Sequence, residues 1–176
     1  MFDNTIARQT GTIVHRLVRV AIEQDLGPDD VRGLAEAWWR ENPVGGTTAW
    51  QTRTRAVLAA NVYLRLLRPV GWDLLGAEQH LGSSVADLVW GLRTTAGEIV
   101  AVFVDELKTG RDPLTEPELI DQVARLERDA SEQWPGVFAG VRVAETRHAS
   151  RSRFWTSDGS RLLAAQGPDL GGEVRS

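Results

Sequence analysis

Ile99-Val100-Ala101-Val102-Phe103-Val104-Asp105-Glu106-Leu107-Lys108 is the stretch on which the reading of this chain turns. A short apolar run rich in β-branched residues, bounded upstream by Ala96-Gly97, predicts a buried strand. Strand alternation places residues i and i+2 on one face. Glu106 and Lys108 therefore project together, while Asp105 and Leu107 point the other way. A carboxylate and an ammonium at the end of a buried strand can hold a divalent cation and a water molecule side by side.

Outward from this strand, the turn at Ala96-Gly97 joins it to Val85–Arg93 as a hairpin, and Trp72–Leu81 reads as a weaker strand before that. The N-terminal part is helical. Ile13, Val14, Leu17, Val18 and Ala21 recur at helical spacing between Ala7 and Gln24, and Gly27-Pro28 ends that segment. Asp29 or Asp30 can cap a second helix, Val31 to Glu41. Pro43 and Gly45-Gly46 break it, and Thr47 or Thr48 opens a third helix running to Leu67, with Ala56, Leu58, Ala59, Val62, Leu66 and Leu67 as its core positions. Pro69 stops it.

After the central strand, Pro113 to Gln133 predicts a helix with Leu119, Ile120, Val123, Ala124 and Leu126 apolar, and Val137 to Ala144 a further strand. Helices, three strands, helix, strand is the order of an α/β fold with a mixed central β-sheet flanked by helices and an N-terminal helical section. Past Glu145 the pattern thins. The expected division is a domain over residues 1–145 and an arginine-rich C-terminal extension and loose tail over 146–176.

Composition narrows the chemistry. The 176 residues suffice for one domain, and the absence of cysteine removes disulfides, thiolate zinc sites and cysteine-held iron–sulfur clusters. Any metal must sit on carboxylates, histidine, carbonyls and water, which favours Mg²⁺ or Mn²⁺. No apolar run suggests a membrane span, and no signal-peptide pattern opens the chain, so the expected location is cytoplasmic. A net charge of −4 argues against a surface coated with positive charge but leaves room for a local basic groove. Of the 20 basic residues, Lys108 is the one lysine. Lysine is a compact point charge whose pKa responds to its surroundings, unlike a guanidinium.

A bare Glu-x-Lys is common on solvated sheet surfaces. This one follows an apolar run, uses the sole lysine, and has Asp87 on the neighbouring predicted strand. Two carboxylates for a cation and an ammonium to orient water make a minimal hydrolytic site. Glu78 is a further acid on the first strand, equally readable as exposed. His15 lies on an otherwise apolar helix face, where a core histidine is the commoner case.

These pieces resemble the PD-(D/E)XK nuclease superfamily, in its RecB-like exonuclease branch. Gly11-Thr12-Ile13-Val14-His15 is similar to the helical first motif, Ala86-Asp87-Leu88-Val89 to the second, Val104-Asp105-Glu106-Leu107-Lys108-Thr109-Gly110 to the third, and Asp121-Gln122-Val123 to the start of the last. The match spans residues 11 to 126. It departs at Leu126, where the last motif usually carries tyrosine, and in lacking the cysteines of the iron–sulfur members. The resemblance implies a restriction-endonuclease-like core. It also implies a metal held by His15, Asp87, Glu106 and the Leu107 carbonyl, a catalytic Lys108 that positions the water and stabilises charge at the phosphate, and Gln122 supporting the site.

The activity implied is Mg²⁺- or Mn²⁺-dependent hydrolysis of DNA phosphodiester bonds, of exonuclease character, in repair, phage or defence. A helicase or other partner protein is expected, because 176 residues leave no room for nucleotide-binding parts. The rival reading is a non-catalytic nucleic-acid-binding or assembly subunit that kept the fold, and a third is an interaction domain with a fortuitous motif match. Arg142, Arg147, Arg151, Arg153 and Arg161, interleaved with Phe154 and Trp155, are candidates for contacting phosphates and bases. Arg53, Arg55, Arg65 and Arg68 on the third helix are another set, and Trp38-Trp39 a candidate partner surface.

Overall fold

A computed structural model describes residues 4–43, 46, 49–110, 117–156 and 161–163. The chain opens with α1 (Asn4–Glu23), whose stripe of Ile13, Val14, Leu17, Val18, Ala21 and Ile22 is buried throughout. A single 3₁₀ turn, Pro28–Asp30, separates it from α2 (Val31–Glu41). The Asp30 carboxylate accepts from the Gly27 amide at 2.9 Å, so it caps that turn rather than α2 itself. α3 (Ala49–Val62) continues directly into a π-helical turn, Tyr63–Leu67. The expected start of this helix at Thr47 or Thr48 lies outside the described residues.

Three antiparallel strands follow: β1 (Asp73–Leu81), β2 (Ser84–Arg93) and β3 (Ile99–Lys108). The β2–β3 turn falls where expected, with the Gly97 amide donating to Thr94 O and φ at +85°. α4 (Pro117–Gln133) then crosses over to β4 (Phe138–Glu145), which pairs parallel to β3. The stretch from Pro113 to the start of α4 lies outside the described residues. β5 (Arg153–Thr156) and the three-residue β6 (Arg161–Leu163) extend the sheet antiparallel beyond β4. The result is one mixed sheet with the strands side by side in chain order, flanked by helices. None of the described helices is long and apolar enough to cross a membrane.

Alternation along β3 divides the core. Phe103 and Leu107 pack with α1, α2 and α3, whereas Val102 and Val104 pack with Leu119, Val123 and Leu126 of α4. Two expected core positions on the third helix are exposed instead: Leu58 and Leu66. α3 meets its neighbours through the small side chains Ala56, Ala59 and Ala60, which let helices approach closely and leave Leu58 on the outer side. The extra residue of the π turn shifts the phase, so Leu64 and Leu67 turn inward and Leu66 outward. On α4, Ile120 is likewise exposed.

The stretch past Glu145, where the sequence pattern thins, is continuous with the sheet. Phe154 of β5 is buried against Phe103, ring centroids 5.9 Å apart. β5 can lie this close to β4 because Gly140 has φ +147°; a Cβ there would stand 1.9 Å from Trp155 O. The residues from 164 on lie outside the described structure.

A buried polar network joins the sheet to the π turn. Asp105, facing away from Glu106 as alternation requires, receives Arg142 Nε and Nη2 at 2.6 Å each and Trp90 Nε1 at 3.0 Å. The Tyr63 hydroxyl also donates to it, and Arg142 Nη2 reaches Leu67 O at 2.7 Å. Arg142 is therefore no nucleic-acid contact: it is fully enclosed, with its guanidinium over the Phe103 ring. Burial, then the Asp105 charge, pushes the Tyr63 hydroxyl well above its ordinary pKa, and the Asp105 carboxylate outweighs burial in holding Arg142 protonated.

Candidate functional site

The β2–β3 ladder runs from Arg93↔Ile99 to Leu88↔Asp105 and stops there. Both strands nevertheless continue, β2 to Ser84 paired with β1, and β3 to Lys108 paired with β4. An opening is thus framed by ordered strands on both sides. In it the Leu107 amide, which a continuing ladder would bond to a main-chain carbonyl, donates instead to Asp87 Oδ2 at 2.7 Å.

α1 enters at this opening. His15 Nδ1 lies 3.0 Å from Asp87 Oδ1, and its Nε2 lies 3.2 Å from Leu107 O. The approach is eased by Gly11, one turn earlier on the same helix face, where a Cβ would come within 3.2 Å of Thr109 Oγ1 and that side chain would have to give way. On the β3 side, Lys108 Nζ donates to Glu106 Oε1 at 2.7 Å and to Gln122 Oε1 of α4 at 3.1 Å. His15, Asp87, Glu106, Leu107, Lys108 and Gln122 are therefore brought together from α1, β2, β3 and α4.

The group is electrostatically crowded. Glu106 is 3% exposed, and its carboxyl is raised above the ordinary value by burial first and by the Asp87 charge second, opposed by Lys108 and His15. His15 is raised as well. Burial pulls it down, but the hydrogen bond and charge of Asp87, the charge of Glu106 and the Leu107 carbonyl together outweigh that. Both imidazole nitrogens face acceptors, so without a cation the imidazolium satisfies both contacts. Among the described residues no group of three His, Asp or Glu side chains is set to close on a cation, since His15 holds Asp87 and Lys108 holds Glu106.

Other sequence candidates lie elsewhere. Arg151 sits on a 3₁₀ turn with Nε 3.6 Å from Glu145 Oε2, and Arg153 Nη1 donates to the carbonyls of Ser150 and Ser152. Neither touches the group around Asp87 and Glu106. Phe154 is core rather than a base platform. Arg65 and Arg68 are tied to Asp29 and Asp25, fastening the end of the π turn to the α1–α2 connection. Glu78 lies between residues paired with Leu88 and Ala86, beside Asp87, but its carboxylate is taken by Arg19 of α1 and its φ is +48°. Sequence reading missed the Asp105–Arg142 network and Tyr63. The one signal for it was Asp105 itself, an acid placed by alternation on a buried face. Comparison with family models, with curated proteins and with solved structures gives no match.

Proposed function

We propose that this chain is a metal-dependent nuclease with a restriction-endonuclease-like core, hydrolysing DNA phosphodiester bonds at the opening between β2 and β3. The observation that carries the reading is the convergence there of Asp87, Glu106, His15 and Leu107 O with Lys108. Two carboxylates, an imidazole and a carbonyl, with no thiolate, are a donor set suited to Mn²⁺ or Mg²⁺. A divalent cation at such donors polarises a phosphoryl oxygen and acidifies bound water.

The raised values at His15 and Glu106 support the same reading, because a cation relieves the crowding that a proton relieves in its absence. The contacts of His15 with Asp87 and of Lys108 with Glu106 are those a cation would replace. Lys108 would then be released toward the attacking water and the phosphate. Gln122 of α4 accepts from the Lys108 ammonium and restrains it.

Cleavage of end-labelled linear and circular DNA with Mn²⁺, with Mg²⁺ and with EDTA tests the proposal, with wild type beside Lys108→Ala. The expected result is metal-dependent cutting that drops at least about a hundredfold in the variant. Wild type inert with both metals, or a variant as active as wild type, overturns it.

A further inference from the structure

We propose that the cavity between α1, α3 and the segment after β4 receives the terminal nucleotide of a single-stranded nucleic-acid end; the strand-end part rests on the nuclease reading. The cavity measures about 300 Å³ and is lined by Thr109, the residue after Lys108, and by Thr146. Thr146 is fixed to the same strand, its amide and hydroxyl donating to Lys108 O at 3.0 and 3.1 Å. The cavity is therefore built onto the end of β3, beside the carboxylates rather than among them.

Its walls have two characters. Leu58, Ala59 and Val62 of α3 form an apolar side, and Leu58 is 60% exposed although it is a large hydrophobic residue. Around them stand Arg55, Arg147 and His148, and among the described residues no acidic side chain lines the cavity, in a chain of net charge −4. Neither arginine has an ion-pair partner among the described residues, in contrast to Arg65 and Arg68 on the continuation of the same helix. An apolar wall beside unpaired guanidinium groups suits a base with its phosphate.

Thr10 also lines the cavity and is 7% exposed. The volume is at the small end of ligand pockets, enough for one nucleotide and far too narrow for a duplex. That selects a single-stranded or frayed end.

The test measures binding in EDTA, so that cleavage does not intervene. The probes are deoxyadenosine monophosphate, deoxyadenosine, inorganic phosphate, and linear and circular forms of one single-stranded oligonucleotide. Wild type is compared with Arg55→Ala/Arg147→Ala and with Leu58→Glu, each checked by thermal melting. The mononucleotide is expected to bind more tightly than nucleoside or phosphate alone, and the linear oligonucleotide more tightly than the circular one. The double arginine variant and Leu58→Glu should each weaken both by about tenfold or more. Mononucleotide affinity unchanged in both variants overturns the pocket. Mononucleotide bound without preference for the linear strand overturns the strand-end assignment and leaves a free-nucleotide site. If the pocket variants lose binding while wild type cuts no DNA, the nuclease reading fails and the pocket assignment stands.

Discussion

Asp105 and Glu106 are adjacent carboxylates with opposite fates, and strand alternation decides which is which. Asp105 is saturated by Arg142, Trp90 and Tyr63 in a closed interior, whereas Glu106 faces the opening and keeps only Lys108. Removing one partner of such a buried pair strands a charge in low dielectric. Arg142→Met is therefore expected to cost about 3–5 kcal/mol in urea unfolding, and Arg142→Met with Asp105→Asn less than the two single losses summed. A loss below about 1 kcal/mol for Arg142→Met would show that the pair is not what holds β3 to β4. At this scale the sequence was partly legible. Lys108 stood out as the only lysine and Asp105 was assigned its face, but nothing in a run of nineteen arginines marks Arg142 as the one that is enclosed. Its partner lies 37 residues away on a parallel strand, and parallel pairing leaves no local signature.

Elements whose character is written in local periodicity were readable, and those fixed by close approach were not. α1, α2, the described part of α4 and the first four strands lie within a few residues of their expected bounds. All but β1 bury a regular stripe or an apolar run that sets those bounds, while β1 buries only Leu81 and is bounded by its flanking glycines. The facing of α3 was readable only in part: Ala56, Ala59 and Leu67 are buried as expected, but alanine packing and a π turn leave no continuous apolar stripe by which to place Leu58 and Leu66. β5 was equally hidden: its four residues join the sheet only because Gly140 gives up its side chain space to Trp155 O. Gly140→Ala should accordingly destabilise by about 2 kcal/mol or more, through both the positive φ and the backbone clash. Gly33→Ala in α2, where a Cβ meets nothing within 4 Å, should instead stabilise by about 0.5–1 kcal/mol. Opposite signs for these two glycines in thermal melts would support the assignment of β5 to the sheet. Equal, small effects would remove it.

For the molecule as a whole, the metal site proposed at the opening predicts that stability is coupled to pH and to metal in opposite senses. The folded-state values of both Glu106 and His15 are raised, from ordinary values of 4.5 and 6.5. A group that binds its proton more tightly when folded contributes stability that is complete below its unfolded value and is lost as pH rises through its folded value. In EDTA the contribution of Glu106 should thus fade upward from about pH 4.5 and that of His15 upward from about pH 6.5. A divalent cation competes for the same donors, so its stabilisation should grow over the same range as the protons leave. The melting temperature measured from pH 5 to 8 should therefore fall in EDTA relative to Glu106→Gln and His15→Gln, and the increment given by Mn²⁺ should rise with pH in wild type alone. An Mn²⁺ increment independent of pH, or one that both variants retain, would place the cation elsewhere than between β2 and β3. The same result would leave the raised protonation of His15 and Glu106 as a property of crowding alone, with no cation to relieve it.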